Sequence, residues 1–252
     1  MNNLDLKEKY DEVFEEGSEN FFTCNVFHEA WTIAGMHDWE DLEVMDVGCG
    51  EGMLATMIAH AGASRVIGVD YSEQAIKNAN SKFDILNLEF VANDYRKIKK
   101  QFDVITMQGV MEHLDDPWGE LENIIENHLY DDGCVITSSP SFLNPRGYVW
   151  MTLAKLFDVP MSLTDLHFIC PFDMEDFCDR KGYELEYKSI HQDWGSGGGM
   201  IRDFDKRLRN ALRDADMDNS KVDDLLDWLE KAIHYFDTNE ESGAIVIYRI
   251  YK

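Results

Sequence analysis

Three glycines at alternate positions, Gly48, Gly50 and Gly52, lie between two acids, Asp46 and Asp70. Glycine lets a chain turn sharply and bring its backbone against a ligand. An acid about 20 residues beyond such a turn is placed to take up ribose hydroxyls, so the pattern reads as a site for a nucleoside-bearing cofactor. The order is not the G-x-G-x-x-G of dinucleotide binders. Asp46 and Glu51 beside the turn would repel a pyrophosphate and attract a cation. Two histidines further on could handle a proton near neutrality. His113 follows Glu112 in Gly109-Val110-Met111-Glu112-His113-Leu114, and His167 stands in Leu163-Thr164-Asp165-Leu166-His167-Phe168, with Asp165 near enough to orient or charge it. Either could instead be structural, His113 bonded beneath the cofactor and His167 closing a loop against the sheet.

Such residues need rigid elements to hold them. Branched and apolar runs predict strands near 43–48, 65–70, 88–92, 102–108, 133–139, 183–190 and 243–251. Helices fit between them at about 51–61, 72–81, 117–129 and 172–181, with Ser72 as an N-cap, Asp116 capping a helix that opens on Pro117, and Gly133 and Gly182 marking helix-to-strand turns. This alternation predicts one α/β domain over 1–252 with a doubly wound sheet. Residues 1–40 form a helical cap whose Tyr10, Phe14, Phe21, Phe22 and Trp31 either cover the cofactor or serve as core. Two segments exceed a minimal fold, 138–170 and 195–242, and both should cover the carboxyl edge of the sheet. The second holds Gly197-Gly198-Gly199 and two amphipathic helices, one with Ile201, Phe204, Leu208, Ala211 and Leu212 on a face, the other with Val222, Leu225, Leu226, Leu229, Ile233 and Phe236. Ser220 with Asp223 predicts a capping box for the latter.

Composition narrows the partners. Lys and Arg number 23 against 49 Asp and Glu, a formal charge of −26 that disfavours nucleic acid and anionic membranes. The acidity fits either a salty habitat or cationic acceptors. Five cysteines without a C-x-x-C pair suit reduced thiols in a cytosol, and the residues after Met1 lack the apolar core of a signal peptide, so a cytoplasmic protein is expected. The apolar stretch Gly147 to Leu163 is broken by Lys155, Asp158 and Pro160, which excludes a plain membrane span and leaves a greasy wall over a substrate. Asp214, Asp216 and Asp218 open a calcium-like loop. The match fails at Asn219 and Leu225, where Gly and a bidentate Glu are needed, so no metal is expected.

In spacing and acids the run Val44-Met45-Asp46-Val47-Gly48-Cys49-Gly50-Glu51-Gly52 with Asp70 resembles the first motif of class I S-adenosylmethionine-dependent methyltransferases. The resemblance runs from Asp41 to about Leu185. Phe102 to Gln108 with Glu112-His113-Leu114 is similar to the fourth motif of the ubiquinone-biosynthesis-like and sugar-modifying small-molecule members. It implies a Rossmann-like, mostly parallel seven-stranded sheet with an antiparallel last strand. Gly48, Cys49, Gly50 and Gly52 would lie under the methionine part of the cofactor, Asp46 would face its ammonium group, and Asp70 would hold the ribose, with Tyr71 near the adenine. Asp94, beside Tyr95, would accept from the adenine amino group, and Gln108 and Gly109 would border the methionine. Relatives that bind a metal carry an acid where this chain has Gly109, so the resemblance implies none. The expected reaction is methyl transfer to an oxygen, less readily a nitrogen, of a small molecule, with His113 or His167 as base or orienting group. Segments 138–170 and 195–242 would then cover the acceptor, the latter also a candidate homodimer surface or a plain buttress. The alternative is a cofactor-binding partner or scaffold without transfer activity.

Overall fold

A computed structural model describes residues 11, 14–15, 26–159, 165–237 and 239–252. Tyr10, Phe21, Phe22, Leu163 and Thr164 lie outside the described residues. Helix α1 (Val26–Ala34) leads into β1 (Glu43–Val47), α2 (Met53–His60), β2 (Arg65–Asp70), α3 (Glu73–Lys82), β3 (Leu88–Ala92) and β4 (Phe102–Gln108). Then come α4 (Pro117–His128), β5 (Leu129–Pro140), α5 (Pro145–Phe157), α6 (Pro171–Lys181) and β6 (Glu184–Ile190). The chain closes with α7 (Gln192–Ser196), α8 (Gly198–Asp203), α9 (Arg209–Asp214), α10 (Val222–Ala232) and β7 (Ile245–Tyr251).

The seven strands lie in the order β3-β2-β1-β4-β5-β7-β6, and β7 runs antiparallel to both neighbours. Central strands are apolar on both sides because each side is roofed by helices. Val44, Val66 and Val104 pack with Ala30 and Ile33 of α1 and Leu54 and Ile58 of α2. Met45, Ile67 and Ile105 meet Leu121 and Ile125 of α4 and Met174 of α6 on the other face. The order reverses between β1 and β4, so a crevice opens at the carboxyl ends of these strands.

Register explains where the two extra segments go. Pro140 at the end of β5 pairs with Ile245 at the start of β7, which also pairs with Ile190 at the end of β6. Both insertions therefore leave the sheet at its carboxyl edge. They share a third core in which Phe142 and Trp150 pack with Met200, Phe204, Leu208 and Leu229. The glycine run serves this packing, since a Cβ on Gly199 would stand 2.9 Å from Asp193. At its centre the Asp203 carboxylate accepts from Arg146 Nη1 and Trp150 Nε1, both at 3.3 Å, and from Arg207 Nη1 at 3.4 Å.

The apolar stretch from Gly147 lies largely in helix α5, started by Asn144, whose side chain accepts from Gly147 N at 2.8 Å. Two expectations need correcting. Gly133 is no turn. Strand β5 begins at Leu129 directly after α4, and Gly133 lies within it where a Cβ would come 2.7 Å from Asp103 O. The capping box also fails, because α10 has Lys221 at its N-cap with no side-chain bond, and the Ser220 hydroxyl donates instead to Asp218 at 2.9 Å. Among the described residues no helix is long and apolar enough to cross a membrane.

Candidate functional site

The turn after β1 is built by its glycines. Gly48, Gly50 and Gly52 have φ of 69°, 50° and 83°, a region L side chains rarely adopt. Contacts demand glycine as well. A Cβ on Gly48 would meet Val110 at 2.6 Å, and one on Gly52 would meet the Phe90 ring at 2.3 Å. Gly48 N donates to Val69 O at 2.8 Å and Gly50 N to Asp70 Oδ2 at 2.9 Å, which fastens the turn to β2. Gly52 caps α2, so the helix starts two residues later than expected. Glu51 accepts from Asn78 Nδ2 at 2.8 Å and pairs with Lys82 of α3 at 2.9 Å. Cys49 is buried, and burial drives its thiol pKa well up, which favours the neutral thiol.

Two buried acids flank the turn. Asp46 is 2% exposed; Thr106 Oγ1 donates to its Oδ1 at 2.7 Å, while Oδ2 is buried without a hydrogen-bond partner among the described residues. Burial pushes its pKa up to about 7, against the pull of the Thr106 bond. A buried carboxyl with a spare oxygen suits an ammonium group. Asp70 accepts from Ser72 N and Gly50 N, both at 2.9 Å, and burial again raises its pKa. With the Tyr71 N–H also on this carboxylate, it keeps one further lone pair, enough for a ribose hydroxyl. These features fit a nucleoside cofactor with an amino-acid tail. Tyr71, next to Asp70, is 41% exposed.

Beyond β3 the expectations divide. Asp94 accepts from its own loop at Arg96 N, 3.0 Å, and from Arg96 Nη2 at 2.8 Å, so its carboxylate is held by that arginine and its pKa lowered. Tyr95 turns away from the crevice. Its hydroxyl donates to Glu120 of α4 and its ring meets His128 edge-on at 5.5 Å, so Tyr95 packs the back of the sheet and leaves the cofactor set. At the end of β4, Gln108 Nε2 donates to Val26 O at 3.2 Å, and Gly109, at φ 62°, donates its N–H to Ser138. Behind them stands Glu29 of α1, buried and bonded to Ser138 and Gln108, its pKa raised by burial. Glu29 had no sequence signal beyond being an acid on an apolar helix.

His113 sits between two carboxyls. Its Nδ1 lies 3.5 Å from Asp165 Oδ1 and its Nε2 4.0 Å from Glu112 Oε1. Glu112 is buried and accepts from Ser139 Oγ at 3.2 Å; burial lifts its pKa to about 7. The loop carrying Asp165 is fixed there because Leu166 N and His167 N both donate to Glu112 O, at 2.8 and 3.2 Å. Asp165 is thus brought within 3.5 Å of His113, a neighbour that its position in the sequence beside His167 did not suggest. His167 is half-buried and forms no ion pair with a carboxylate among the described residues. No group of three metal-ligating side chains gathers among the described residues.

A family model described as a methyltransferase domain matches residues 39–191. The chain is 30% identical over 164 residues to a ubiquinone biosynthesis O-methyltransferase of Neisseria meningitidis serogroup C (strain 053442), covering 61% of this chain and 68% of that protein. Its fold is similar to that of the [4+2]-cyclase SpnF, with a TM-score of 0.65 at 14% identity over 100% of this chain and 96% of the other. It is similar also to the plantazolicin methyltransferase BpumL, solved with S-adenosylhomocysteine, with a TM-score of 0.57 at 15% identity over 96% and 93%.

Proposed function

Because this chain belongs to the class I S-adenosylmethionine-dependent methyltransferases, we propose that it moves the methyl group to a hydroxyl oxygen of a small-molecule acceptor, with His113 as the base. When bound, the cofactor supplies an electrophilic methyl on a sulfonium, and no covalent protein intermediate is needed. The chain's own residues then align and deprotonate. Asp46 would take the ammonium group, the backbone at Gly48 to Gly52 would pass under the methionine, and Asp70 would hold the ribose, with Gln108 and Gly109 along the opposite wall. Asp94 remains a candidate for the adenine amino group only if Arg96 shares it.

The single observation that carries the reading is Asp165 Oδ1 at 3.5 Å from His113 Nδ1, at the carboxyl end of β4 beside the glycine turn. A carboxylate on one ring nitrogen fixes the imidazole so that it can accept a proton from a hydroxyl and bear the charge. The similarity to a protein named an O-methyltransferase supports oxygen over nitrogen. So does the chain's Gln108-Gly109-Val110-Met111, where amino-group methylases carry Asn/Asp-Pro-Pro-Tyr/Phe. Titration calorimetry with S-adenosylmethionine and S-adenosylhomocysteine tests the donor site. Turnover on a panel of hydroxylated acceptors tests the base: His113→Ala should lower kcat by about 10²–10⁴-fold and Asp165→Asn by less, with cofactor affinity kept. Undiminished turnover in His113→Ala would remove it as the base.

A further inference from the structure

Side chains from outside the sheet close the corner of the crevice where Asp70 stands. Ser72 caps α3, its Oγ accepting from Ala75 N at 3.1 Å while its own N–H donates to Asp70 Oδ1 at 2.9 Å. The hydroxyl proton of that serine goes to Asp11 Oδ1. One serine therefore joins two carboxylates. They feel each other, since the charge of Asp11 adds to burial in raising the Asp70 pKa. Phe14 is buried, and its ring edge lies 3.5 Å from where a Cβ on Gly50 would stand. Asn78 Nδ2 anchors this segment by donating to Phe14 O at 3.1 Å and to Glu51 at 2.8 Å.

Neighbouring carboxylates at a shielded corner raise each other's energy unless donors lie against them. Asp70 already accepts backbone N–H groups of Ser72, Gly50 and Tyr71, and Asp11 accepts one hydroxyl among the described residues, so each carboxylate retains a lone pair for a further donor. A ribose diol brings two O–H donors on adjacent carbons. We propose that Asp11 is a second acid of the ribose site, taking one hydroxyl while Asp70 takes the other, and that Phe14 lies over the cofactor at Gly50. This rests on the reading of Asp70 as the ribose acid.

Calorimetry on the full chain tests it, with S-adenosylhomocysteine and its 2′-deoxy and 3′-deoxy analogues against wild type, Asp11→Asn, Asp11→Glu, Phe14→Ala and Phe14→Leu. Failure of wild type to bind S-adenosylhomocysteine would overturn the donor site itself. Given binding, one deoxy analogue should bind wild type about tenfold more weakly through loss of its bond to Asp11, and Asp11→Asn should abolish that preference, with Asp11→Glu restoring part of it. The comparison is a ratio within one variant, so a merely structural role for Asp11 would leave it unmoved. Retention of full discrimination against both analogues in Asp11→Asn overturns the role of Asp11. Phe14→Ala should weaken binding about tenfold and Phe14→Leu less. Unchanged affinity in Phe14→Ala overturns the role of Phe14, as does tighter binding, which would mean that the ring competes with the cofactor for space.

Discussion

Glu112→Gln isolates the cost of one buried acid beside the proposed base. The Glu112 residue is 4% exposed, and burial lifts its carboxyl from 4.5 to about 7, with His113 opposing and Asp165 and Glu29 adding to the rise. The folded pKa exceeds the unfolded one. Between about pH 4.5 and 7 the folded chain therefore keeps a proton that the unfolded chain has released, and stability falls as pH rises through that window. Each pKa unit is worth about 1.36 kcal/mol, so the full cost above the window is about 3 kcal/mol. Glutamine carries no such cost, and its amide oxygen can still accept from Ser139. At about pH 4 the variant should match wild type or fall about 1 kcal/mol below it through altered hydrogen bonds. At about pH 8 the difference should have moved about 3 kcal/mol in the variant's favour. Urea denaturation followed by tryptophan fluorescence across this range measures it. Stability curves that stay parallel, within about 0.5 kcal/mol, would refute the assignment of a buried, neutral-leaning carboxyl to Glu112.

Gly52→Ala should cost about 3 kcal/mol or more and abolish cofactor binding by calorimetry, because φ is 83° and the Phe90 ring lies 2.3 Å from the new methyl. Asp46→Asn removes an acid that burial raises to about 7; its stability by urea melt should exceed wild type at about pH 8 by 1 kcal/mol or more, while S-adenosylmethionine affinity falls at least about tenfold. Asp203→Ala leaves the buried Arg146 guanidinium without its carboxylate partner and should cost about 3–5 kcal/mol by thermal or urea unfolding.

The placement of the glycine turn and its two acids was legible because it is local. Asp46, the three glycines and Asp70 each sit at or just past the carboxyl end of one strand, and strand, turn and helix signals fix that placement within a few residues. Tyr95 was misplaced by the same logic. Its position after β3 was right, but the short helical turn that Asp94 caps rotates it beneath α4, and that rotation is set by tertiary packing with Glu120 and His128. The acceptor half is non-local. No spacing rule brings Asp165 to His113, since two backbone N–H groups binding Glu112 O do it. Likewise Glu29 reaches Ser138 and Gln108 only because α1 packs on the face of β4 and β5.

Two kinds of buried acid in this chain separate structure from function. Asp203 is 3% exposed and is met by three side-chain donors, Arg146, Trp150 and Arg207, which hold the two insertions together. Asp46, Asp70, Glu29 and Glu112 are also buried, yet among the described residues no arginine or lysine is paired with any of them. Burial raises all four pKa values, so each makes the folded state less stable near neutrality. A purely structural role would favour apolar residues or added partners at these positions, as a core tolerates an unpaired acid poorly. All four gather at the carboxyl edge of β1, β2, β4 and β5, where the strand order reverses. Destabilising acids concentrated at one sheet edge are the pattern of a functional site and not of a structural core.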